Sequence, residues 1–107
     1  MIFSKQTKEM GLALISAWRN EEIEQSFVIV VRESGHGFFV ESSHLPQKIP
    51  LTMGAVRELQ ASECIYLSER ETVNLDAYSG REEPYLGFKY ELTLLPALLT
   101  KEETFKQ

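Results

Sequence analysis

The hydrophobic pattern over residues 5–21 has the period of an α-helix, with apolar side chains recurring every three or four positions. The apolar positions form one main face with a flank on either side: Met10, Gly11, Leu14 and Trp18 on the face, Ala13 and Ala17 on one flank, and Ile15 on the other. Ser4 precedes the segment and is a predicted N-cap, because its hydroxyl can accept a hydrogen bond from a free backbone N–H. The pattern therefore predicts a helix that begins directly after Ser4.

The apolar arc of this helix is wide. At about 100° per residue it spans roughly 200°, about twice the width that a surface helix needs, and Leu12 lies on the far side. The helix either packs deeply in a groove of its own chain or meets a second protein surface. In the second interpretation Gly11, Leu12 and Ile15 form an interface, because Gly11 permits a close backbone approach. A two-fold homodimer is the commonest closed arrangement of this kind.

The pattern over the rest of the chain predicts strands and further helices. Residues 27–31 are a continuous apolar run, which predicts a central strand covered on both faces, and the turn at 34–37 joins it to 38–40 as a hairpin. Alternation predicts three further strands in close succession, arranged as a meander: 64–67, 72–78 and 86–94. A helix is predicted at 52–61, with an apolar stripe of Leu51, Ala55, Val56 and Leu59. A short terminal helix begins at Pro96, and its apolar contacts are expected to be Leu98, Leu99 and Phe105.

The element order is therefore α-β-β-α-β-β-β, with a further terminal helix. Hairpins and meanders are antiparallel, so the prediction is an α+β fold: a single antiparallel sheet of about five strands with two or three helices. In the strand at 72–78, Val73, Leu75 and Ala77 are expected to face inward, and Asn74 and Asp76 outward. No repeat or linker divides the chain, so residues 1–107 are predicted to form one domain.

Charge and composition narrow the classes of function. The 11 basic and 16 acidic residues give a net charge of -5, which argues against a protein that binds nucleic-acid phosphates and favours a protein partner with a basic surface. The apolar stretch at 10–18 is shorter than the roughly 20 residues that span a bilayer, so no membrane association is expected. The single cysteine, Cys64, cannot form an internal disulfide, which is typical of a reducing compartment and predicts a cytoplasmic location.

No group of residues has the spacing of a catalytic, cofactor-binding or metal site. His36, Glu41 and His44 match no known ligand pattern, so the histidines are expected to be solvated loop residues. Cys64 begins an apolar strand with no basic neighbour to lower its pKa, and is expected to pack as a small hydrophobe. The only aspartate, Asp76, is expected on an outer face, where it cannot form a catalytic carboxylate pair.

The tyrosines are the most informative polar–aromatic residues. All four lie in or beside the last three strands: Tyr66, Tyr78, Tyr85 and Tyr90. Tyr66 and Tyr78 are expected to point outward, where they either offer contact area to a partner or cover part of the core. The sequence thus favours a non-enzymatic protein-binding or regulatory protein of the inhibitor, immunity, adaptor or mobile-element accessory type. The alternative is a small-molecule-binding domain with its ligand between sheet and helix, and an enzyme ranks third.

Overall fold

The computed structural model describes residues 3–33, 35–39, 51–75 and 86–107. These residues contain four helices: α1 (Lys5–Arg19), α2 (Met53–Ala61), α3 (Ala97–Thr100) and α4 (Glu102–Phe105). They also contain five strands: β1 (Ser26–Arg32), β2 (Gly37–Phe39), β3 (Ile65–Leu67), β4 (Glu71–Asn74) and β5 (Leu86–Leu94). The predicted α+β class, single antiparallel sheet and element order are confirmed. The predicted terminal helix is present as two short helices that follow Pro96.

Strand β5 holds the sheet together, because it pairs with neighbours along both of its edges. One edge pairs with β1, and the other pairs with β3 and then with β4. Strand β2 pairs with the far side of β1, so the sheet order is β2-β1-β5-β3, with β4 also on β5. The predicted meander is therefore wrong, because β3 and β4 are not neighbours. Both pair with β5 and lie end to end along the same edge of it, β3 with three residues and β4 with four.

A β-bulge separates β3 from β4. Leu67 lies opposite Leu92 and Glu71 lies opposite Lys89, so three residues of the edge strand stand against two residues of β5. One extra residue exchanges the two faces of a strand, because successive side chains point to opposite sides of a sheet. Before the bulge, Leu67 faces the helices, as its partner Leu92 does. After the bulge, Glu71 and Val73 face the outer side, whereas strict alternation from Leu67 would have turned them toward the helices.

The effect of the bulge is visible at Val73 and Leu75. Val73 lies opposite Gly87, on the face turned away from the helices, and Leu75 follows two residues later. A Cβ on Gly87 would lie 2.4 Å from the Leu75 Cδ2 atom, so glycine is required where the leucine covers β5. The predicted burial of Leu75 is confirmed at 1% exposure, but it packs on the outer face of the sheet and not in the main core.

The main core lies between the helices and the sheet face that they cover. Its described strand residues come from β1, β3 and β5: Ile29, Val31, Ile65, Leu67, Tyr90, Leu92 and Leu94. Its helix residues include Met10, Leu14, Ala55, Val56, Leu59 and Leu98, which the 3.6-residue pattern had placed inward. Strand β1 is confirmed as a central strand, since Ile29 on one face and Val30 on the other are both completely buried. Each large side chain buried in this way contributes about 1.5–3 kcal/mol.

The C-terminal helices account for the width of the apolar arc on α1. Phe105 of α4 lies against Gly11, and its ring meets the Phe3 ring edge-on with centroids 5.1 Å apart. Ile15 is only 1% exposed, so the expectation that it stays near solvent is wrong. Leu12 is half-buried and packs against the core. The dimer through α1 remains an untested prediction, but the surface on which it depended is occupied by the chain's own C-terminus.

Two polar contacts also join α1 to the C-terminal helices, and they contribute less than the packing of Phe105. Arg19 forms an ion pair with Glu102, and the Lys8 ammonium donates a hydrogen bond of 2.8 Å to the carbonyl oxygen of Gln107. Exposed pairs of this kind contribute about 0–1 kcal/mol each. The contact between Phe105 and Gly11 is therefore the dominant attachment of the C-terminal helices to α1.

The helix ends follow from local hydrogen bonds. The Ser4 hydroxyl accepts a bond of 3.2 Å from the Thr7 N–H, which confirms the predicted N-cap of α1, and Thr52 caps α2 in the same way. Helix α1 ends at Arg19 and not at the predicted Glu21, because Glu21 has a φ of 57°. That left-handed conformation closes a helix C-terminus and stops its propagation.

Gly11→Ala is expected to destabilise the protein, because a Cβ at this position would lie 2.6 Å from a Phe105 ring carbon. Alanine is favoured over glycine within a helix by about 1 kcal/mol, whereas overpacking a filled core costs about 1–3 kcal/mol. The expected net loss is therefore about 1 kcal/mol in the free energy of unfolding, measured by urea denaturation.

Gly54→Ala in α2 is the matched control, since no atom lies within 4 Å of the Cβ it adds. It is expected to leave stability unchanged or slightly higher. Equal stability of the two variants would show that Phe105 does not rest on Gly11.

Candidate binding surface

The outer face of the sheet, turned away from the helices, is formed by alternate residues of β1, β5 and β3. The register places Ser26 opposite Thr93 and Thr93 opposite Tyr66, so these residues form one row across three strands. Val28 and Glu91 form the next row. Directly opposed residues of antiparallel strands project to the same side. We call this group of five residues, Ser26, Val28, Tyr66, Glu91 and Thr93, the Tyr66 surface.

The outer face is open at the Tyr66 surface and closed at its other end. Tyr66 is 60% exposed, Ser26 and Glu91 are also exposed, and Val28 and Thr93 are half-buried. One row further along, Val30 has no accessible surface, and Leu75 lies over Gly87. The chain thus covers one end of the outer face and leaves the Tyr66 end accessible to solvent.

Hydrogen bonds fix the backbone beneath the Tyr66 surface. The hydroxyls of Ser26 and Thr93 lie 2.8 Å apart and share a hydrogen bond across β1 and β5. At the bulge, the Ser68 N–H donates to the Glu91 carbonyl at 2.9 Å, and the Glu91 N–H donates to the Ser68 hydroxyl at 2.8 Å. The side chains therefore project from a paired sheet, which positions them more precisely than a loop would.

Acidic side chains lie beside Tyr66, whereas the basic Lys89 is one row further along the outer face of β5, opposite Val30. Glu91 is the one charged member of the Tyr66 surface, and Glu63 and Glu69 are exposed on the neighbouring edge of the chain. Arg70 does not offset these charges at Tyr66, because its guanidinium lies over the Phe88 ring, 4.5 Å from the centroid. Phe88 belongs to the helix-facing alternation of β5, so Arg70 points to the opposite side of the sheet.

The residues that the sequence predicted for an interface are dispersed in the structure. Tyr66 lies where it was expected, outward on the sheet, whereas Tyr78 is outside the described residues. Gly11 and Ile15 are buried within the chain, as described above, and Leu12 is half-buried. The structure does not bring the α1 residues and Tyr66 together, because they lie on opposite sides of the sheet.

Sequence reasoning missed the partners of Tyr66. Alternation along β5 separates Glu91 and Thr93 from the buried leucines, but only the pairing register shows that they share a surface with Tyr66 and Ser26. Alternation along β5 groups Leu86 with the buried Tyr90, Leu92 and Leu94, but Leu86 is 57% exposed. Leu86 is on the side of β5 that faces the helices, but it is the first residue of the strand and lies beyond the part that the helices cover.

The residues considered for catalysis or metal binding do not form a site in the described part of the chain. Cys64 is completely buried in the main core, as predicted, and its Sγ accepts a hydrogen bond of 3.3 Å from the Ser62 hydroxyl. His36 is exposed, whereas Glu41, His44 and Asp76 are outside the described residues. Among the residues that are described, no three histidine, cysteine or acidic side chains are grouped to hold a metal ion.

A polar clasp joins α2 to the N-terminus of α1. The Glu58 carboxylate accepts hydrogen bonds from the Ser4 hydroxyl at 2.7 Å, from the Thr7 hydroxyl, and from the Ser4 N–H at 3.3 Å. These bonds, the Thr7 bond above all, hold the pKa of the Glu58 carboxyl below its usual value. Thr7 is completely buried, and Ser4, Thr7 and Glu58 are hydrogen-bonded to one another, so the arrangement stabilises the fold.

Comparisons of the chain with protein-family models, with curated proteins and with solved structures find no significant match. Among the described helices, none has the length and apolar content that crossing a bilayer requires.

Glu58→Gln is expected to remove a pH-dependent part of the stability. Because folding lowers the pKa of Glu58, its contribution is fully present above the unfolded value of 4.5 and is lost as the pH falls through the folded value. The variant is therefore expected to be less stable than the parent at neutral pH, by less than about 1 kcal/mol because water screens this partly exposed carboxylate, with the difference shrinking in acid. Urea unfolding across this pH range measures it.

Glu9→Gln is the matched control, because Glu9 is an exposed carboxylate on α1, outside the clasp. Its difference from the parent is expected to stay small throughout. A Glu58→Gln difference that does not change with pH would contradict a stabilising role for the ionised carboxylate.

Proposed function

We propose that this protein is non-enzymatic and acts by binding another protein, with the Tyr66 surface as the contact. The observation that carries the proposal is the 60% exposure of Tyr66 on the open end of a hydrogen-bonded sheet. Tyrosine is enriched among residues that dominate binding energy, because it offers a large contact area and loses little conformational freedom. Inhibitors, immunity proteins, adaptors and accessory factors of mobile elements act by contacts of this kind.

The composition of the Tyr66 surface supports a protein contact. The exposed tyrosine and half-buried Val28 supply apolar area, whereas Ser26, Thr93 and Glu91 supply hydrogen-bonding groups. Protein interfaces combine aromatic anchors with a polar rim in this manner. The strands beneath the Tyr66 surface are already ordered before a partner binds. Binding therefore incurs no free-energy cost for ordering the backbone of this protein.

The alternative function, a small molecule held between sheet and helix, has less support. A ligand-sized cavity leaves accessible surface on the side chains around it. Met10, Leu14, Ile29 and Leu92 meet between the helices and the sheet, and none has any accessible surface. Space for a ligand at these residues would require them to separate, which costs about 20–30 cal/mol for each Å² of apolar surface exposed.

The charge of the chain supports a basic partner. The net charge is -5, and Glu91 lies within the Tyr66 surface itself. Opposite potentials accelerate encounter and disfavour acidic competitors. The unpaired, completely buried Cys64 suits a reducing compartment, and we propose the cytoplasm as the place of action.

Tyr66→Ala is expected to abolish capture of the partner. The tagged parent protein should retain one stoichiometric protein from native lysate, and loss of a central tyrosine at an interface costs about 2 kcal/mol, or roughly 30-fold in affinity. Leu86→Ala is the matched control, because Leu86 is similarly exposed at 57% but has the helix-facing alternation of β5. Equal capture by the parent and by Tyr66→Ala would refute the proposed surface.

The rate of association with that partner is expected to fall as salt is added. Screening weakens the attraction between an acidic protein and a basic one, since the Debye length shrinks from about 10 Å at 0.1 M to about 3 Å at 1 M. Stopped-flow or surface plasmon resonance measurements at increasing ionic strength test this with the purified pair. An association rate that does not change with salt would contradict a basic partner.

A further inference from the structure

We infer that the Tyr66 surface recognises an arginine side chain of its partner. This inference rests on the proposed function and specifies the chemistry of the contact. It depends on three neighbouring features: the exposed ring of Tyr66, the exposed carboxylate of Glu91, and the hydroxyl pair formed by Ser26 and Thr93.

The register sets these groups at a distance that one side chain can span. Tyr66 lies opposite Thr93, and Glu91 is the residue two positions before Thr93 on the same face of β5. Diagonal neighbours of this kind are about 7–8 Å apart at the backbone, within reach of long side chains. A cation stacked within about 6 Å of the tyrosine ring can therefore also meet the Glu91 carboxylate.

Neither group is engaged by a cation among the residues that the structure describes, and Lys89, the neighbouring outward-facing residue of β5, forms no ion pair with Glu91. Glu91 forms no ion pair with any residue that the structure describes. The nearest arginine along the edge strand, Arg70, stacks on Phe88 on the other side of the sheet. The carboxylate and the ring thus remain available to a cation from a partner.

Arginine fits this arrangement better than lysine. The planar guanidinium stacks on an aromatic ring and at the same time presents several N–H donors at its edge. Those donors can bond the Glu91 carboxylate and the hydroxyl oxygens of Ser26 and Thr93. A lysine ammonium is a strongly hydrated point charge and cannot stack in this way, and an acidic side chain would be repelled by Glu91.

The test is a titration of the ¹⁵N-labelled full chain, followed by NMR, with three blocked tripeptides: Gly-Arg-Gly, Gly-Lys-Gly and Gly-Glu-Gly. The arginine peptide is expected to shift the amide signals of Ser26, Tyr66, Glu91 and Thr93 selectively. The lysine peptide should bind more weakly, and the glutamate peptide should cause no shift. Equal shifts beside the exposed carboxylates of α4, such as Glu103, would overturn the inference, because they would show unspecific charge pairing.

Variants separate the two groups that hold the arginine. Tyr66→Ala and Glu91→Gln are each expected to weaken binding of the arginine peptide by about fivefold. Tyr66→Phe keeps the ring and should retain the affinity, as should Leu86→Ala. The dispersed amide spectrum of each variant verifies folding. Unchanged affinity in both Tyr66→Ala and Glu91→Gln would overturn the inference.

The capture experiment and the titration fail independently. A partner that is lost with Tyr66→Ala, together with no selective arginine shift, would overturn the arginine site and leave the proposed function standing. A selective arginine shift without any Tyr66-dependent partner would support the arginine site and contradict the proposed function as a protein-binding protein.

Discussion

The pairing of β5 along both of its edges is the constraint on which the rest of this structure depends. It joins β1 to the edge strand formed by β3 and β4, and it supplies the buried residues Tyr90, Leu92 and Leu94 to the main core. The same strand carries Glu91 and Thr93 on its other face. A single nine-residue segment therefore determines both the packing of the helices and the composition of the surface opposite them.

The bulge between β3 and β4 shapes both the outer face and the free edge of the sheet. Because of the bulge, the alternation of side chains differs between the two strands: Leu67 of β3 faces the helices, whereas Leu75, which follows β4, covers the far end of the outer face. The bulge also interrupts the free edge, and the residues around it, Glu69, Arg70 and Glu71, are exposed and charged. Bulges and charges on an edge strand oppose pairing with another chain. The free edge is therefore protected against addition of a strand from another chain, and the proposed contact uses the face of the sheet at Tyr66 instead.

The contact between Gly11 and Phe105 shows why the breadth of an amphipathic helix does not identify its partner. The wide arc of α1 implied a second covering surface, and both a second copy and a distant part of the same chain satisfy that requirement. The structure uses the same chain: Phe105 occupies the space that a side chain at position 11 would need. The hydrophobic effect is not directional, so the pattern alone does not distinguish these two solutions.

The sequence by itself determined the elements and much of the core. Local signals were sufficient for the N-cap at Ser4, for burial of the stripe on α2 and for both-sided burial of β1, because caps and periodicity depend on nearby residues. The neighbours of β5, the bulge and the exposure of Leu86 were decided by tertiary structure. Each depends on register and on where a covering helix ends, and these are relations between residues far apart in the chain. The same holds for the Tyr66 surface, whose tyrosine was predicted to face outward but whose partners Ser26, Glu91 and Thr93 became neighbours only when three strands paired.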